Sequence, residues 1–122
     1  MAAGQQSGEF SFKITSLIFT PGPANSVLVQ VNFEGTASGY GTVLGTDTVV
    51  VGKSGPYSGC SACYLDNGEI ITYTSRGTYE SSGRHKWRLQ EVGQFSNGKT
   101  VNVEGEVDLA ARTWNGKFVE RS

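Results

Sequence analysis

The chain has one histidine, one methionine, two cysteines and three prolines in 122 residues. A single histidine excludes the paired-imidazole metal motifs. The two cysteines, Cys60 and Cys63 in "CSAC", lack the second pair that a four-thiolate zinc site needs. A redox pair would require a helix N-terminus, whereas this one lies in an extended segment, so two unpaired thiols and no metal site are expected. No apolar run reaches the roughly 18 residues of a membrane helix. The start "MAAGQQSG" has neither the charge nor the apolar stretch of a signal peptide, so a cytoplasmic protein without membrane contact is expected. Neither sign of charge dominates, with ten Lys and Arg against eleven Asp and Glu. That balance leaves no basic footprint for nucleic acid. "GYGTVLG" has neither the lysine nor the following helix of a phosphate loop, and no serine-hydrolase or metalloprotease signature occurs.

Glycine, by contrast, is abundant at 17 residues, and apolar residues make up 37%. That mixture points to a turn-rich β protein. Residues 1–8 are small and polar and read as a disordered tail, leaving 9–122 as one domain. "EFSFKITSLIFT" places Phe10, Phe12 and Ile14 on one face. Leu17 and Phe19 rejoin that face if a bulge falls at Thr15-Ser16. "VLVQVNFEGT" alternates cleanly, with Val27, Val29, Val31 and Phe33 inward. "YGTVLGTDTVVV" follows, and "GKSGPYSG" reads as a mobile loop. "CSACYL" and "EIITYTSRGTYE" flank Asn67-Gly68, a hairpin signal. "RHKWRLQEVGQFS" turns at Asn97-Gly98 into "TVNVEGEVDL". The final "AARTWNGKFVERS" fits either one bulged strand or a tight hairpin at Asn115-Gly116.

About eight strands joined by short hairpins would leave two raw edges in an open sheet. Closure removes them, and eight strands enclose room for side chains or one small ligand. The expected fold is therefore all-β, a single closed, mostly up-and-down antiparallel barrel, with a two-sheet sandwich as the alternative. In layout, from the long first strand to the closing "EGEVDLAART", the chain resembles the allene-oxide-cyclase-type barrels. The resemblance spans Glu9 to the C-terminus and rests on strand count and hairpin order, with no catalytic position carried over. It implies a barrel that can form homo-oligomers and take up a hydrophobic or cyclisable small molecule.

Loop length decides which side chains share the interior. Two-residue turns at Ser82-Gly83 and Asn97-Gly98 would put Arg76, Glu80, His85, Glu91, Glu104 and Glu106 inside. Three-residue loops would pair Tyr79 with His85 and Leu89 with Val107, giving an aromatic interior. Several buried carboxylates with one arginine would cost several kcal/mol each. Burying a large apolar side chain gains roughly 1.5–3 kcal/mol. The aromatic interior is favoured.

His85 and Glu91 are the first acid–base candidates. Six residues of strand span about 20 Å, so each needs a partner on another strand. Tyr79 is the expected partner for His85, and Tyr73 for Glu91. The alternative is that His85 caps a hairpin while Glu91 is solvated or paired with an arginine. Trp87, Leu89, Tyr64, Tyr40 and Trp114 offer apolar walls with polar tips for a flat or hydrophobic ligand. Glu104, Glu106 and Asp108 read as a solvated strand face. The expected function is binding of a small hydrophobic or aromatic molecule, with isomerase, cyclase or lyase chemistry needing no cofactor. A ligand carrier or assembly module is the competing class.

Overall fold

Alternating buried and exposed side chains make Ser7–Pro21 one long strand, β1. A computed structural model describes residues 7–121 and continues β1 into seven further strands. These are β2 (Val27–Ala37), β3 (Gly41–Val50), β4 (Ser54–Tyr64), β5 (Ile70–Gly83), β6 (Lys86–Phe95), β7 (Thr100–Asp108) and β8 (Thr113–Arg121). Each strand pairs antiparallel with the next in chain order, and β1 pairs with β8 from Ser7↔Val119 to Lys13↔Thr113. The result is the expected closed up-and-down barrel. Among the described residues no helix is long and apolar enough to cross a membrane.

The bulge lies where the alternation slips, between Ile14 and Ser16 of β1. It keeps Leu17 in phase with Ile14 and adds twist to the first hairpin.

The interior is the aromatic one, reached through registers that differ from the expected ones. On β6 and β7, Leu89 faces Gly105 instead of Val107. The loop there is Ser96 to Gly98, because the Phe95 N–H donates to the Lys99 carbonyl at 2.8 Å. On β5 and β6, Tyr79 faces Leu89 instead of His85, and the hairpin tip moves out to Arg84-His85. Both shifts are even, so every side chain keeps its face. Arg76, Glu80, Glu104 and Glu106 accordingly stand outside in water.

Other expectations are corrected. Only Gly52 and Lys53 of "GKSGPYSG" lie in a connection: β4 begins at Ser54 and carries Pro56 and the buried Tyr57. Residues 113–121 form one strand without a hairpin. Ser7 and Gly8 belong to β1 instead of a tail. Residues 1–6 of that expected tail lie outside the described residues.

The core is built from rings. Phe12 stacks on Phe33 at 4.9 Å, Phe10 meets Trp114 edge-on at 4.8 Å, and Tyr40 lies flat on Phe95 at 4.3 Å. This packing leaves two cavities along the barrel axis. A lower chamber of about 70 Å³ has aromatic walls, among them Phe10, Phe33, Tyr40, Phe95 and Phe118. An upper chamber of about 160 Å³ has mainly aliphatic walls, among them Ile14, Val29, Val49, Leu89 and Val107. Asp47 and Trp114 line both.

Candidate functional site

Along β3 the inward positions read Val43, Gly45, Asp47 and Val49, so a carboxyl replaces the next apolar side chain. The alternation gives it no outward choice, and Asp47 is only 6% exposed. It lies opposite Gly59 of β4. A Cβ on Gly59 would overlap Asp47 Oδ1, so glycine there is what gives the carboxyl its seat.

Glu91 of β6 is also buried, and phenols fix it. Tyr57 Oη donates to Glu91 Oε1 at 2.7 Å, and Tyr73 Oη donates to Oε2 at 2.6 Å. Each carboxylate oxygen thus receives a charge-assisted bond. The donors come from β4 and β5, so three strands converge on one group. Tyr73 reaches Glu91 by lying across Gly93, where any Cβ would overlap the phenol. Both phenols hold their protons well above the usual tyrosine range, first through burial and then through the neighbouring Glu91 charge.

Among the described residues, the phenol hydrogen bonds that secure Glu91 have no counterpart at Asp47, which faces the chambers. Its pKa is pushed well above the ordinary carboxyl value, by burial first and by repulsion from Glu91 second. Two acids therefore share one low-dielectric site in unlike settings. One is anchored by two donors, and the other is disposed to keep its proton.

A third buried carboxyl, Glu120, closes the lower end. Tyr40 Oη donates to it at 2.6 Å, and Lys99 Nζ lies 3.7 Å from Oε1. At the upper end Tyr79 Oη donates to the Val50 carbonyl, and Trp87 Nε1 donates to the Gly52 carbonyl at 3.1 Å. These two bonds pin the β3–β4 connection beside the upper chamber.

The structure brings Glu91 and Tyr73 together and places Tyr79, Trp87, Leu89 and Trp114 on the upper chamber wall. Tyr40 lines the lower chamber. Tyr64 points outward and is 46% exposed. His85 sits at the exposed β5–β6 tip with φ of 59°, and the expected pairing with Tyr79 does not form. Its role is conformational, because the tip needs a left-handed residue. His85→Gln is expected to change the unfolding free energy by no more than about 0.5 kcal/mol, checked by urea denaturation. A larger loss would show a buried interaction for the imidazole.

Sequence reading missed Asp47 and Tyr57. The Asp47 signal was present, as a lone acid at an inward position of an apolar strand. Tyr57 was hidden by the glycines and proline around it, which imitate a loop. No family model, curated protein or solved structure matches this chain.

Proposed function

We propose that the barrel binds a small apolar molecule through its upper chamber and moves protons on it with the Asp47–Glu91 pair. The observation that carries this reading is the position of Asp47, a buried carboxyl lining both chambers beside a second, tyrosine-held carboxylate. An apolar cavity of roughly 150 Å³ accommodates a benzene-sized ring. The upper chamber, at about 160 Å³, is of that class. A ligand seated there has its inner end at Asp47, and its reacting carbon extends past Asp47 into the lower chamber, which Glu91 lines.

The chemistry this supports is isomerisation by proton shift. For a β,γ-unsaturated ketone, Asp47 transfers its proton to the carbonyl oxygen. Glu91 removes a proton from the carbon between the carbonyl and the double bond, giving a dienol. The same proton returns to the γ-carbon, Asp47 recovers its own, and the product is the conjugated ketone. No atom is gained or lost. Tyr57 and Tyr73 position the base, and exclusion of water strengthens each interaction.

Cyclohex-3-enone matches the chamber in size and tests the reading directly. Conversion to the conjugated isomer, followed by ultraviolet absorbance, should exceed the buffer rate. It should fall on the order of 10²- to 10⁴-fold in Asp47→Asn and in Glu91→Gln, while binding persists. Binding without conversion in the parent protein would leave a carrier, and conversion untouched by both substitutions would refute the assignment.

A further inference from the structure

The barrel closes along only part of β1. Pairing with β8 covers Ser7 to Lys13, and one more bond runs from the Ile14 N–H to the Arg112 carbonyl at 2.9 Å. Beyond the bulge, Ser16 to Pro21 pairs with β2 alone. Among the described residues no strand lies beside its other edge, and Ser16, Ile18, Phe19 and Thr20 are exposed. Ile18 and Phe19 are 49% and 59% exposed. A run of uncharged, partly apolar residues on an open edge is a template for another strand.

The groups on that edge follow from strand geometry. Side-chain face and hydrogen-bonding edge alternate together along a strand of L-residues. Ile14 faces inward and bonds toward β8. Leu17 and Phe19 also face the chamber, so their N–H and C=O groups point to the same side, where no strand follows. Pro21, next in that series, has no N–H. The edge therefore offers two donors, at Leu17 and Phe19, with Ile18 between them.

We infer that a second copy of this chain pairs antiparallel with the same edge, about a twofold axis at Ile18. Leu17 of one copy faces Phe19 of the other, and each such pair exchanges both backbone bonds. Ile18 meets its counterpart on the outer face in the close, non-hydrogen-bonded position, where Cα atoms stand about 4.5 Å apart. Thr15 to Thr20 carries no charge, so the two copies do not repel there. Leu17 and Phe19 line the upper chamber, and the added strand flanks its mouth. This pairing is independent of the proton chemistry proposed above.

Native mass spectrometry across a concentration series should show a dimer in the parent protein. Ile18→Lys should convert it to monomer with the barrel's circular dichroism retained, and Val92→Lys on β6 should leave the dimer intact. In a Cys60→Ser background, Ile18→Cys should yield a covalent dimer on mild oxidation, since that spacing suits a disulfide, and Val92→Cys should not. A monomer at all concentrations, or a dimer that survives Ile18→Lys and gives no Ile18→Cys cross-link, would overturn the inference. So would a monomer that floats with phosphatidylglycerol vesicles through this edge.

Discussion

Replacing Asp47 with Asn should stabilise the protein at about pH 8 and do little at about pH 3.5. The sign follows from the upward shift of Asp47, caused first by burial and second by Glu91. A raised folded-state pKa means that the folded protein binds the Asp47 proton more tightly than the unfolded chain does. Its contribution is fully present below the unfolded carboxyl value of about 3.9, and is lost as pH rises through the folded value. Asn cannot ionise, so the melting temperature of the variant should exceed the parent's at the higher pH and match it at the lower. Thermal melts of both proteins across this range supply the test. Parallel curves would show that Asp47 titrates like a surface carboxyl. Both proteins should lose stability together in alkali. Tyr40, Tyr57 and Tyr73 hold their protons above the ordinary tyrosine range, and burial pushes Cys63 up to about 11.

Gly93→Ala should cost about 2–4 kcal/mol, a large effect for one methyl group in a strand. Alanine normally fits strands no worse than glycine, so propensity alone gives the opposite sign. The loss arises because the new Cβ would occupy the place of the Tyr73 phenol. Tyr73 must then leave its packing against Phe95 and its bond to Glu91, which leaves a buried carboxylate with Tyr57 as its remaining phenol donor. Losing a bond to a buried charge is among the costlier single changes. The cycle with Tyr73→Ala isolates this cause. In that background Gly93→Ala should be nearly neutral by urea denaturation. An equal cost in both backgrounds would place the clash on the backbone instead.

The barrel was legible because its signals are local and repeated. Period-two alternation, Asn-Gly turns and a slip at Thr15-Ser16 all report on the chain itself, and closure follows from the cost of raw edges. Registers were less legible, since the β5–β6 tip depends on a left-handed His85 and a bulge near Ser82 that no turn signature announces. Parity survived because both shifts were even, so Tyr73, Tyr79, Trp87, Leu89 and Glu91 were assigned to the right face. The site itself is non-local. Asp47 becomes a partner of Glu91 only once three strand pairings, β3–β4, β4–β5 and β5–β6, set it near β6. Gly59 and Gly93 look like turn or bend residues in sequence, and only the neighbouring side chains reveal them as clearances. His85 drew attention as the sole imidazole, a chemical signal that said nothing of its place at a hairpin tip.

The central claim is that two buried carboxyls share one site and that Asp47 is the one that retains a proton. Carbon-detected NMR of the side-chain carboxyl carbons, titrated through the acid and neutral range, tests it most directly. Asp47→Asn supplies the assignment. The Asp47 midpoint should lie well above the ordinary value near 3.9 and move down when Glu91→Gln removes the neighbouring charge. An Asp47 resonance that titrates with the surface carboxyls, unmoved by Glu91→Gln, would contradict it.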